Sequence, residues 1–142
     1  MRTADERRDY SATPLARKLG IREGSIVFVV NAPDGFREAL APLPTGITFA
    51  TRASKGTDVI VLFATHGSDL RRRFATLARC LTPDGRLWVA WPKKASGVST
   101  DITFDDAQGV GLSAGLVDNK SASMTEVFQG LQFVYRLEDR KR

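Results

Sequence analysis

Cysteine and histidine are each present only once in this chain of 142 residues, and that scarcity removes much of the usual chemistry of small proteins. A lone Cys80 cannot close an internal disulfide; on the inner half of a helix it reads as a buried small hydrophobe. One histidine and one cysteine also fall short of the three or four ligands a zinc site takes, so no metal is expected. No apolar run approaches the roughly 20 residues that cross a bilayer. The opening MRTADERRDY is charged, with no apolar stretch behind it to make a signal peptide. A cytoplasmic location without a membrane partner is the expectation. Neither a G-x-S-x-G elbow nor a Walker loop occurs, and there are no internal repeats.

Uncompensated charge is scarcer than the net +5 suggests. Residues 1–23 hold six basic and four acidic groups, residues 136–142 hold four and two, and the stretch between holds eleven and ten. The excess therefore sits in the ends. The one dense internal cluster, Arg71-Arg72-Arg73, would splay over about 200° of a helix rather than line one stripe. No aromatic-studded basic groove accompanies it, which disfavours nucleic acid as partner.

The elements that are present have clear signals. Thr13-Pro14 opens a short helix, "TPLARKLG", with a hydroxyl N-cap and proline at the first helical position. "SIVFVVN", 25–31, is a buried β-branched strand. A short helix over 34–41 is broken by Pro42 and Pro44. "GITFAT" and "DVIVLFAT" are two more strands, joined by a link too short for a helix. If the first of them is only "GITF", the eight residues 50–57 reach roughly 25 Å and can return the chain for a parallel pairing. Leu70, Phe74, Leu77, Ala78 and Leu81 make one apolar helical face, with Ser68 as its cap. "TPDG" is a turn and "RLWVAWP" a fourth strand, on which Trp88 and Trp91 point to opposite faces.

Thr103 and Asp106 have capping-box spacing, so a helix should run from near Phe104 to Gly115. Gly109 and Gly111 inside it cost roughly 1 kcal/mol each relative to alanine, which means that this helix is either pressed close to the sheet or loosely held. "LVDNKSASM", the bend "TEVFQG" and "LQFVYRL" form a terminal antiparallel hairpin. The whole reads as one α/β domain over 1–142, with frayed tails at 1–10 and 138–142. It is a mostly parallel sheet of about six strands with helices on both sides.

Over residues 58–136 the pattern "DVIVLFA", helix, "PDGRLWVAW", helix, hairpin resembles the second half of the Rossmann-type methyltransferase fold. The chain thus reads as a truncated, methyltransferase-like Rossmann domain. At closer range "YSATPLARKLGI", "LWVAWPKKASGVSTD" and "GLVDNK" with "GLQFVYRL" are similar to a family of small bacterial proteins, the domain-of-unknown-function family numbered three thousand and fifty-two. That second resemblance spans most of residues 10 to 137 and implies no activity. The methyltransferase resemblance implies a glycine-rich turn after the first strand to cradle S-adenosylmethionine, and an acidic residue after the second for its ribose. This sequence has "NAPDGF" at the first place, and Thr51, Arg52, Ser54 and Lys55 at the second. No adenosylmethionine site, and no other cofactor, is expected.

Ligands of open parallel sheets collect outside the carboxyl ends of the strands. There the sequence delivers Asn31, His66, Lys93 and Lys94. Lys93 and Lys94 are cations, Ser96, Ser99 and Thr100 are donors, and Gly97 lets the backbone turn. Together with a helix start they could hold a phosphate or carboxylate, although Asp101 and Asp106 oppose it. His66, oriented by Asp69 or Asp34, is the candidate acid or base. The leading reading is a non-catalytic binding domain for a small anionic ligand or a protein partner. An enzyme using His66 and the Lys93/Lys94 loop on a phosphorylated or carboxylated substrate is the alternative, and a nucleic-acid accessory protein the third. The face shared by Phe133 and Tyr135 either packs under a helix or pairs with a second copy in a homodimer through the hairpin edge.

Overall fold

The computed structural model describes residues 13–140. Its frame is one six-stranded sheet built from β1 (Ile26–Val30), β2 (Thr48–Phe49), β3 (Thr57–Phe63), β4 (Leu81–Pro92), β5 (Leu116–Ser123) and β6 (Phe128–Tyr135). The order is β2-β1-β3-β4-β6-β5. The first four strands in this order are parallel, and β6 and β5 close the sheet as an antiparallel pair. The chain leaves β2 and returns on the far side of β1 without a helix, the extended link that its length allowed.

Among the described residues four α-helices cover the sheet: α1 (Leu15–Lys18), α2 (Phe36–Ala39), α3 (Gly67–Ala78) and α4 (Phe104–Ser113). Among the described residues no helix is long and apolar enough to cross a membrane.

Alternation along the strands sorts the core into two layers. Leu87, Val89 and Trp91 of β4 join Ile60 and Leu62 of β3 beneath α3 and α4, with Leu70, Phe74 and Ala107 above them. Trp88 and Ala90 join Val59, Val61 and Phe63 on the other side, under Ala16 of α1, Leu19 just past it and Phe36 of α2. Trp88 and Trp91 thus occupy opposite layers, as the period of two requires. Fully burying side chains of this size contributes about 1.5–3 kcal/mol each before entropy is counted. Edge-to-face ring pairs fix the packing: Phe36 with Phe63 at 4.8 Å, and Phe74 with Phe133 at 5.2 Å between centroids.

Several local expectations are corrected. Pro14, with ψ 142°, is the N-cap of α1 rather than its first helical residue, and no side chain caps this helix. Ser68 does not cap α3; the N-cap is His66, without a side-chain bond of its own. "TPDG" is not a turn between elements but part of β4, where the register against β3 shifts between Thr57 and Val59. Leu137–Asp139 forms a single 3-10 turn, which takes in residues 138 and 139 of the expected tail. The rest of the expected tails, 1–10 and 141–142, lies outside the described residues.

The predicted capping box is present: the Asp106 N–H donates to Thr103 Oγ1 at 3.1 Å, and the Thr103 N–H donates to Asp106 Oδ2 at 2.9 Å. Phe133 and Tyr135 face the α3–α4 layer, and the Tyr135 hydroxyl donates to the Ala78 carbonyl at 2.6 Å.

Candidate ligand site at the carboxyl edge of the sheet

Because β1, β3 and β4 are parallel neighbours, their tips deliver Asn31, His66 and Lys93 to one edge. The side chains then part company. Asn31 is exposed and holds a left-handed backbone with φ 57°, a conformation asparagine tolerates better than most residues. His66 is exposed. Asp69, expected to orient it, takes a charge-assisted bond from Arg72 at 2.6 Å instead. That bond, with Coulomb help from Arg72, His66 and Arg73, holds the Asp69 carboxyl below its usual range despite some desolvation.

Lys93 turns the other way. Its Nζ donates to Ser123 Oγ on β5 at 2.7 Å, and its N–H donates to the Val127 carbonyl. The expected common rim is therefore divided, with Asn31 and His66 at the β1–β3 tips and Lys93 directed at the terminal hairpin.

Residues 93–103 form a strap folded back onto the β3–α3 turn. The Thr100 hydroxyl donates to the Thr65 carbonyl at 2.7 Å, and Asp101 Oδ1 accepts the Gly67 N–H at 2.7 Å. Asp101 thus places its negative charge at the start of α3, where exposed N–H groups and the helix dipole favour an anion. Two of the expected ligand donors are engaged within the strap itself. The Ser96 hydroxyl donates to the Lys93 carbonyl and accepts from Val98, while Thr100 Oγ1 also accepts from Ile102. Gly97, at φ 78°, ends the short 3-10 turn Lys94–Ser96 in a conformation that suits glycine.

What the strap leaves open is a groove. A cavity of about 620 Å³ is lined by Lys94, Gly97, Ser99 and Thr100 from the strap, with Trp91, Phe104 and Gln129 beyond them. A second, about 370 Å³, continues along Trp91, Phe104 and Gln129 to Lys93, Ser121 and Ser123. Phe104, the first residue of α4, is 47% exposed and lines both cavities. Such volumes fall within the range of small-ligand pockets.

Sequence reasoning missed Trp91, Phe104 and Gln129 as lining residues. Phe104 carried no decisive signal, since Phe36, likewise the first residue of its helix, is buried in the core. For Gln129 there was none.

The three consecutive arginines of α3 diverge as expected. Arg72 pairs with Asp69, Arg71 lines a cavity between α3 and α4 beside Asp105 and Asp106, and Arg73 is half-buried with its Nε unpartnered among the described residues.

No family model matches the chain, and neither does any curated protein. Solved structures do resemble it. An N-methyltransferase, NodS from Bradyrhizobium japonicum, superposes with a TM-score of 0.57 at 14% identity, over 87% of this chain and 97% of that one. Magnesium protoporphyrin IX methyltransferase from Synechocystis, with SAM bound, gives 0.55 at 12% identity, over 92% and 79%. A protein from Sulfolobus solfataricus assigned to the type 11 methyltransferases gives 0.59 at 14%, over 91% and 92%. At these identities the likeness shows the fold, a methyltransferase-like Rossmann architecture, and nothing of the activity.

Proposed function

We propose that this chain is a Rossmann-like binding domain without catalytic activity, and that it holds a small anionic ligand in the strap groove. The observation that carries this reading is the pair of bonds from Thr100 and Asp101 to the β3–α3 turn. They fix the strap so that Lys94 and Ser99 line a cavity walled by Phe104 and Trp91. A ligand with a flat apolar part and one negative group suits that lining: the ring of Phe104 offers a stacking surface, and Lys94 a mobile cation.

Two features support the absence of an S-adenosylmethionine site. Pro33 removes an N–H from the turn after β1. At the end of β2, where the fold would call for a carboxylate, Arg37 lies over the Phe49 ring at 3.9 Å, with Arg52 following in sequence. The residues present fit the adenosyl group poorly. Among the described residues no carboxylate is bonded to His66, Asp69 being paired with Arg72, and this supports binding over turnover. Membership of the small bacterial family and a cytoplasmic setting belong to the same proposal. So does pairing of two copies through β5, the sheet's edge strand at its hairpin end, which light scattering on the purified chain would test.

A thermal-shift screen against S-adenosylmethionine, S-adenosylhomocysteine, nucleotides and sugar phosphates tests the reading. Ligand at a hundred times its dissociation constant adds about 2.7 kcal/mol, a shift of several degrees. The expected result is stabilisation by an anionic compound that is lost in Lys93→Ala/Lys94→Ala and in Phe104→Ala. Stabilisation by S-adenosylmethionine overturns the proposal. Turnover that vanishes in His66→Ala would favour the enzyme alternative.

A further inference from the structure

At the opposite, amino edge of the sheet stands a guanidinium that no ion pair engages among the described residues. Arg86 on β4 is half-buried, and among the described residues it has neither an ion-pair nor a hydrogen-bond partner. It lies over Gly20: a methyl group added there would meet Cδ, Nε and Nη1 of Arg86 unless that side chain moved. Gly20 also has φ 86°, a backbone conformation that favours glycine.

Burial, then repulsion from Arg22 and Arg140, lowers the pKa of Arg86 from the usual arginine range, with Asp84 acting the other way. Arg140 is itself fixed, its Nε donating to the Tyr135 carbonyl at 2.8 Å. A guanidinium carries five N–H donors and no acceptor, in a fork that matches phosphate oxygens.

Two cavities meet at this side chain. One, about 360 Å³, is lined by Arg22 and Arg86 with Ser25, Asp58 and Asp84. The other, about 720 Å³, is lined by the same two arginines with Arg17. Glu23 lines both. The Asp58 carboxylate is engaged, accepting the Ile26 N–H at 2.8 Å. Glu23 and Asp84 would repel a second phosphate, yet they would accept hydrogen bonds from hydroxyl groups.

We infer that the amino-edge cavities around Arg86, Arg22 and Arg17 bind the phosphate group of a small hydroxylated phosphate ester, with Glu23 and Asp84 taking its hydroxyls. A long polyanion does not suit this mixed lining. The site is separate from the strap groove, lies at the other end of the strands, and stands or falls on different variants.

Titration calorimetry of the full chain with ribose 5-phosphate tests this, with ribose and a single-stranded oligonucleotide as comparisons. Saturable binding of ribose 5-phosphate and none of ribose is expected. Affinity should fall at least tenfold in Arg86→Met and several-fold in Arg22→Ala. Arg86→Met should fold with an unchanged or higher ligand-free Tm, because it removes a cation repelled by its neighbours. Should it fail to fold, Arg22→Ala, at an exposed position, decides the matter. The inference is overturned if the wild type shows no saturable binding of ribose 5-phosphate up to about 10 mM, or if every folded variant binds it as the wild type does. Preference for the oligonucleotide, with affinity falling steeply with salt, overturns it as well.

Discussion

Asp101 and Gly67 are 34 residues apart in sequence and bound at 2.7 Å, the carboxylate of the strap accepting an N–H from the first turn of α3. The bond is a helix cap supplied from another element. Asp101→Ala removes it, leaving the N–H to water and Thr100 to hold this end of the strap on the β3–α3 turn. Capping side chains of this kind are worth about 1 kcal/mol. Thermal unfolding of Asp101→Ala should show a Tm lower by a few degrees, with amide exchange faster in 97–103 as well as at the start of α3. Exchange unchanged in the strap would mean that Asp101 does not hold it down.

Gly109 and Gly111 lie two apart on α4 and meet opposite surroundings. A Cβ at Gly111 would run into the ring of Phe133, whereas one at Gly109 would meet nothing within 4 Å. Helix propensity alone favours alanine at both, by roughly 1 kcal/mol. Packing reverses the sign at one of them. Gly111→Ala should destabilise by about 1–3 kcal/mol through overpacking, and Gly109→Ala should stabilise by up to about 1 kcal/mol. Urea unfolding of the two variants reads both, and equal effects would contradict the close approach of α4 to β6.

That contrast shows what the sequence could and could not convey. The two glycines announced a helix pressed against the sheet or loosely held, but which of them marks the contact depends on Phe133, across the β5–β6 hairpin. Local signals were reliable where the physics is local: the Thr103–Asp106 box, the apolar spacing of Leu70, Phe74 and Leu77, the β-branched run of β3. They misled where a partner comes from afar. Ser68 was a reasonable cap, but the helix starts one residue earlier, at Gly67, whose N–H goes to Asp101, and Lys93 pointed at the parallel strand tips until Ser123 of β5 drew it aside. The carboxyl edge could be located from strand order, but the direction of each side chain there could not. Arg86 was invisible as a site because the cavities that meet at it bring together Arg17, Arg22 and Asp84 from separate parts of the chain.

The capping box gives a pH-dependent prediction. Hydrogen bonds from the Thr103 backbone and hydroxyl, with a smaller pull from Arg71, hold the Asp106 carboxyl below its usual value against slight desolvation. A folded-state pKa below the unfolded one contributes stability that is complete above the unfolded value and disappears as pH falls through the folded one. NMR titration should therefore find Asp106 ionising at lower pH than an ordinary aspartate, and at a more normal pH in Thr103→Ala. The acid limb of the stability curve should be shallower in Asp106→Asn than in the wild type. A normal Asp106 titration would indicate that the box is open in solution.

Trp88 ties the first helix to the middle of the sheet. Its side chain is fully buried, and its indole N–H donates to the Leu19 carbonyl, one residue beyond α1, at 3.1 Å. Gly130 on the neighbouring strand leaves room for it, since a Cβ there would come within 3.2 Å of the indole and closer still to Met124. Trp88→Phe keeps an aromatic ring but deletes the donor and leaves a void the size of the missing ring. Losing the bond costs about 1 kcal/mol or more with the carbonyl left buried, and the void adds in proportion to its volume. A total of about 2–4 kcal/mol is expected from urea unfolding. Trp91→Phe, on the opposite face and lining the strap groove, should cost less while changing ligand-induced shifts. Equal losses in the two variants would mean that the indole N–H of Trp88 contributes nothing to holding α1 on the sheet.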